Sequence, residues 1–291
     1  MTSRSSGSAR EVAASLMGEP SAGTLALMKK LERAIATRPT DPRPQVRKGK
    51  ALERMLKFSE ALKCYDRALE SAPKDLPTLL AKASLLERSS RGGQAVKVLD
   101  LAIPAGGDGA RLSFEQGRIL HELDRLKAAI PYYERCLSLK RHHRKAVVNL
   151  AVALIGLKRY PEAVGLCDAE LKHAPDRPDL LCSRGVAWME LGEYKKAMAD
   201  YRRALEASPG NQVIYYNLAC WWMKNGNPTK ALACLAKAVK GNHHLAEQAL
   251  KDPTLAGLKD TVRFWRIVMT GTYLDDATLW WLQKKFKVKR L

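Results

Sequence analysis

Alanine returns at every thirty-fourth position from Ala61 to Ala231, through Ala95, Ala129, Ala163 and Ala197. Two further series keep the same step. Small residues occupy Gly49, Ala83, Gly117, Ala151, Gly185 and Ala219, and a filling residue follows at Tyr65, Leu99, Tyr133, Cys167, Tyr201 and Leu235. No insertion or deletion is needed between Pro42 and Leu245. A small side chain recurring in phase with a large one marks a place where two helices come close. A period in this range means one supersecondary unit that cannot bury its apolar face alone and must stack on copies of itself. Strand patterns are almost absent, which points to an all-α protein.

The fullest unit runs from Asp179 to Pro209 and carries Gly185, Gly192, Tyr194, Ala197, Tyr201, Ala204 and Pro209 at fixed offsets. It resembles a tetratricopeptide repeat. The resemblance implies a right-handed α-solenoid of about six 34-residue helix–turn–helix repeats with helical caps. The repeats would occupy 42–75, 76–109, 110–143, 144–177, 178–211 and 212–245. A disordered start (1–10) and an N-terminal helical cap or partial repeat (11–41) would precede them. A capping segment (246–270), in which Leu255, Leu258 and Phe264 return to the core, and a basic aromatic segment (271–291) would follow. Two units depart from the pattern. Glu170 stands where the other units place a small residue. In the second repeat Gly92-Gly93 reads as the inter-helix turn, and the Pro104–Gly107 ending marks a loosened stack after Ile103.

Charge is the main compositional anomaly. Fifty Lys and Arg against thirty Asp and Glu give a net charge of +20. Such a balance favours anionic partners. Six cysteines, Cys64, Cys136, Cys167, Cys182, Cys220 and Cys234, contain no C-x-x-C pair. Most fall on positions that the repeat buries, so they read as apolar fillers in a reducing cytoplasm. No secretory signal is visible at the polar start, and no stretch reads as a transmembrane helix. Phosphate loops, H-E-x-x-H and G-x-S-x-G are missing. Adjacent residues on a helix point about 100° apart, so neither His142-His143 nor His243-His244 forms a chelate by itself, and both pairs read as exposed loop histidines. An enzyme, a metal site and a cofactor are not expected.

Binding is the positive reading. The resemblance implies that the first helices line a concave groove. Carried over by position, the groove would present Arg43, Arg47, Lys50 and Arg54 from the first repeat. Arg111, Phe114 and Arg118 would come from the third, Lys145 and Asn149 from the fourth, and Tyr216 and Asn217 from the sixth. Its N-terminal half would be basic and its C-terminal half apolar with amide donors. That suits a protein or peptide partner with acidic residues and an apolar anchor. The alternative is a basic nucleic-acid-binding accessory protein. There Trp280 and Trp281 would stack bases while Lys284, Lys285, Lys287, Lys289 and Arg290 hold phosphates. Those rings would otherwise pack on the last repeat and leave only a basic tail exposed. The residues leave the oligomeric state open. The register itself is testable: Ala197→Glu forces a carboxylate into the close helix contact and should cost several kcal/mol. An unchanged melting curve would mean the register is misplaced.

Overall fold

A computed structural model describes residues 22–269 and Lys284. The expectations for 1–10, for 11–21 and for the rest of 270–291, including Trp280, Trp281, Lys285, Lys287, Lys289 and Arg290, lie outside the described residues. Among the described residues every regular element is helical. The chain divides into two compact units, one ending at Arg141 and the other beginning at His142. The first holds α1 (Ala22–Thr37) and three helix pairs: α2 (Pro42–Arg54) with α3 (Phe58–Ser71), α4 (Leu76–Arg88) with α5 (Gly92–Ala102), and α6 (Gly109–Glu122) with α7 (Leu126–Leu139). The second holds α8 (Arg144–Gly156) with α9 (Tyr160–Leu171), α10 (Pro178–Glu190) with α11 (Tyr194–Ala207), and α12 (Gln212–Lys224) with α13 (Pro228–Val239). It closes with α14 (His243–Lys251), a 3-10 turn (Pro253–Leu258) and α15 (Val262–Met269). Each unit is a stack of helix pairs in the manner of a helical-repeat solenoid.

Caps and turns set the helix boundaries. Asp41, Asp75, Asp108, Asn211 and Asn242 accept backbone N–H bonds at the starts of α2, α4, α6, α12 and α14. Their side chains satisfy donors that a helix start leaves open. Inside each pair the chain reverses through one left-handed residue. These are Leu56, Ser90, Asp124, Lys158, Gly192 and Gly226, with φ of 55°, 58°, 57°, 59°, 80° and 71°. Only two of the six are glycine, so four repeats hold a strained backbone at this turn. In the second repeat the turn residue is Ser90, which corrects the reading of Gly92-Gly93 as the turn. Those glycines open α5, and a Cβ on Gly92 would lie 2.9 Å from the Ile119 side chain. Gly92 serves close packing instead.

The core of each pair is the predicted small-on-large contact. A Cβ on Gly49, Gly117 or Gly185 would sit 2.7, 2.7 or 2.6 Å from the ring of Tyr65, Tyr133 or Tyr201. All three rings are fully buried. Where the first helix carries Ala83, Ala151 or Ala219, the partner is the smaller Leu99, Cys167 or Leu235. Space is thus traded within a pair, as close packing demands. The hydroxyls fare differently. Tyr65 donates to Glu53, Tyr133 lies 3.5 Å from His121 Nδ1, and Tyr201 has no hydrogen-bond partner among the described residues because Met189 holds the equivalent place.

A polar rung joins successive repeats. Lys48 pairs with Glu32 at 2.8 Å, Lys82 with Asp66 at 2.6 Å, and Arg184 with Asp168 at 2.5 Å. Gln116 donates to Asp100 at 2.7 Å and to the Val96 carbonyl at 3.1 Å. These donors are one period apart in the chain. Leu150 and Leu218 replace them in the fourth and sixth repeats. The Gln116 bonds, with Gly107 N–H donating to the Ala102 carbonyl at 3.0 Å, keep α5 and α6 packed. The loosened stack expected after Ile103 is therefore not present. At the far end Leu255, Leu258 and Phe264 are fully buried; the 3-10 turn packs on α12, and α15 packs on α13 and α14.

The trade of volume gives a double-mutant test. Gly117→Ala should cost about 1–3 kcal/mol through overpacking. In a Tyr133→Leu background, where the pair becomes the Ala–Leu of other repeats, the same change should cost markedly less. Denaturant midpoints read both; equal costs would contradict the pairing.

Candidate protein-interaction faces

In the first unit the expected basic face divides into cations the fold uses and cations it leaves exposed. Arg43 is held by its own helix cap, with Nε 2.9 Å from Asp41. Arg88 of α4 reaches Glu53 of α2 at 2.9 Å. Arg118 of α6 meets three carboxylates: Glu87 at 2.6 Å, Glu115 at 2.8 Å and Glu122 at 2.6 Å. Its charge is spent inside the face, which corrects the expectation that it is offered to a partner. Phe114 is buried and tilts against Tyr133 at 6.2 Å between centroids, so it belongs to the core. Arg47, Lys50 and Arg54 remain. They follow one stripe of α2 at helical spacing, are exposed, and have no ion-pair partner among the described residues. Lys50 and Arg54 line a depression of about 240 Å³ with Glu53 and Arg88. Arg111 is exposed at the start of α6.

In the second unit the first helices α8, α10 and α12 pack side by side. Lys145 is exposed and Asn149 half-buried on α8. Val152, on the same helix, leaves 42% of its surface open. On α10, Asp179 is bound by Arg177 at 2.8 Å, and the Ser183 hydroxyl donates back to the Asp179 carbonyl. Glu190 and Lys224 pair across α10 and α12 at 2.6 Å. Asn217 is half-buried beside the Cys182 thiol. Tyr216 is buried and donates to Asp252 at 2.9 Å, at the turn that closes the unit. The expected groove tyrosine is therefore a clasp for the capping turn.

The cysteines behave as fillers. Burial pushes the Cys167 and Cys182 thiols up to about 12, so neither is a thiolate near neutral pH. The residues missed from sequence are Glu53, Glu87, Glu190 and Asp252, the acidic partners of the face. A signal existed: Glu53 and Arg88, and Glu190 and Lys224, are opposite charges about one period apart.

Asp179 supplies a pH test. Burial opposes its ionisation, but the Arg177 hydrogen bond and charge outweigh this and hold its carboxyl below the usual range. A lowered folded value means stability that is complete above the unfolded value near 4 and is lost as pH falls through the folded one. Asp179→Asn should lower Tm at pH 7 and leave it close to wild type near pH 2–3; an equal deficit at both pH values would contradict the linkage.

The fold agrees with what known proteins show. Family models described as Tetratricopeptide repeat match residues 46–110, 80–140, 120–181 and 178–211, a continuous run over more than half of the chain. Peptidyl-prolyl cis-trans isomerase FKBP42 of Arabidopsis thaliana is 32% identical over 42% of the chain, and uncharacterized protein y4yS of Sinorhizobium fredii is 36% identical over 29%. The matched segments span 31% and 49% of those relatives' own lengths. Among solved structures, YrrB, described as a protein with an unusual peptide-binding site, aligns with TM-score 0.51 at 21% identity. It covers 63% of this chain and 95% of its own. PilF of Pseudomonas aeruginosa aligns with TM-score 0.50 at 14% identity over 77% of this chain and 98% of its own. At such identities these two show the fold alone. With the phased repeat, the helix pairs and the matched run in agreement, the chain belongs to the tetratricopeptide repeat family.

Proposed function

We propose that this chain is a non-catalytic adaptor, scaffold or chaperone-like module that holds an acidic segment of a protein partner. Tetratricopeptide repeat arrays are protein-interaction modules, and that much follows from the family. The finer reading rests on one observation: Arg47, Lys50 and Arg54 stand exposed on one stripe of α2, while Arg43, Arg88 and Arg118 are neutralised by the protein's own carboxylates. An uncompensated cationic stripe attracts and orients an acidic segment. The open Val152 side chain and the amides of Asn149 and Asn217 suit an apolar, extended peptide on the second unit. The peptide-binding site named for YrrB is consistent with this use of the fold. Six free cysteines suit a reducing compartment, and we place the protein in the cytoplasm. Among the described residues no helix is long and apolar enough to cross a membrane. The nucleic-acid alternative gains nothing from the relatives, and the Trp280–Arg290 run that prompted it is outside the described residues apart from Lys284.

Fluorescence anisotropy with labelled Glu-rich peptides that carry Leu or Phe anchors tests the reading. Arg47→Ala, Lys50→Ala and Arg54→Ala together should weaken binding about tenfold, given roughly 0.5 kcal/mol for each exposed charge pair. Unchanged affinity would end the case for the α2 stripe. Binding only to single-stranded nucleic acid, collapsing steeply with added salt, would favour the alternative.

A further inference from the structure

Two tryptophans stand where the repeat elsewhere places leucine. Leu52, Leu86, Leu120 and Leu154 fill the last turn of the first helix in the first four repeats, and all are buried. The fifth and sixth repeats carry Trp188 and Trp222 at this position, and both indoles are only partly buried. A second exchange keeps the same step. Lys196 and Lys230, in the first turns of α11 and α13, take the position of Glu60, Gln94, Ala128 and Glu162. Each ammonium lies over its tryptophan, 4.5 Å from the Trp188 ring centroid and 4.3 Å from that of Trp222. Two neighbouring repeats thus share an indole–ammonium pair that the other four do without.

The indole N–H groups divide by role. Trp221 donates to the Tyr194 carbonyl at 2.9 Å and Trp265 to the Lys259 carbonyl at 2.8 Å, so both are anchors. Trp221 also meets Trp222 edge to face at 4.7 Å and steadies it. Trp188 and Trp222 have no acceptor among the described residues. Neither N–H is shut in, because the buried polar side-chain atoms without a partner belong to Gln45, Ser113, Gln116 and Tyr201. Lys196 pairs with Glu193 at 3.4 Å, whereas Lys230 is exposed and has no carboxylate partner among the described residues.

Spacing selects the occupant. The first helices α10 and α12 pack side by side. Packed helices lie about 8–10 Å apart, so equivalent positions on them are separated by about that much. A polyproline II helix advances about 9 Å in three residues, and its carbonyls have no internal partner. An α-helix also presents side chains at such an interval, but its carbonyls are already bonded. A β-strand repeats one face about every 7 Å. We propose that Trp188 and Trp222 form a docking edge for a proline-rich segment of a protein partner, held as a polyproline II helix with prolines three residues apart and an acidic residue beside them. Each indole packs on a prolyl ring and donates its N–H to a peptide carbonyl, and Lys230 meets the carboxylate. The edge uses none of the residues of the α2 stripe and stands without it.

Fluorescence anisotropy of the full chain with a labelled nonaproline peptide flanked by glutamates provides the test, beside the same peptide with alanine for proline. The wild-type chain should bind the proline peptide saturably and the alanine peptide at least about tenfold more weakly. Trp188→Leu and Trp222→Leu restore the residue of the sister repeats and so keep the fold. Each should weaken binding at least about fivefold while Tm stays close to wild type. Lys230→Ala should weaken it about twofold, a difference that added salt removes. The Arg47, Lys50 and Arg54 triple variant should bind as wild type does. The edge is overturned by the absence of saturable binding, by equal affinity for the two peptides, or by unchanged affinity in the double leucine variant. A loss in the triple variant alone places the peptide on α2 and overturns it as well. So does attachment to anionic lipid vesicles without affinity for the peptide, which assigns the tryptophans to a membrane surface.

Discussion

The closeness of two helices is the constraint on which each repeat depends. Gly49, Gly117 and Gly185 leave no room for a methyl group against the tyrosine they face. That contact fixes how near the pair comes, and the left-handed turn residue five places before each second helix's in-phase alanine lets the chain reverse in the space left. Once the pair distance is set, the second helix presents its other side to the next repeat, where the Lys48, Lys82, Gln116 and Arg184 rungs hold the stack. Packing inside a pair is apolar and tight; packing between pairs adds a polar bond that specifies register. A half-exposed polar bond of this kind contributes little net energy, but a slipped pairing would leave it without its partner.

The face of the first helices is the part of the fold that the proposed function assigns to a partner. Most of its charge is internal. Glu53, Glu87, Glu115 and Glu122 absorb Arg88 and Arg118, which stiffens the first unit's face and leaves the uncompensated cations on α2. A net charge of +20 therefore says less about the partner than three side chains do. In the second unit Arg177, Asp179, Glu190 and Lys224 compensate one another, and the open surface is the apolar side of α8 with its neighbouring amides.

The fold was legible because its signal is spacing. Ala61 to Ala231 in phase place every second helix without knowledge of any contact. Which helices carry the expected face residues was legible, but what their side chains bond to was not. Position alone assigned Phe114, Arg118 and Tyr216 to the face, yet burial takes the first, three carboxylates take the second, and Asp252 takes the third. Each depends on a partner distant in the chain whose direction a period cannot supply. The turn of the second repeat misled for a different reason. Glycine usually marks a reversal, but here Ser90 takes the left-handed conformation and Gly92 admits Ile119. Glu170 stood out in the sequence as a misfit. Only the structure shows that its carboxylate meets His142.

The most direct measurement of the central claim is hydrogen–deuterium exchange on the full chain, with and without the protein it captures from the source lysate after nuclease treatment. The account predicts that a protein is retained without nucleic acid and that protection on binding concentrates in first helices, α2 foremost. Capture that disappears with nuclease, or protection confined to second helices, would contradict it.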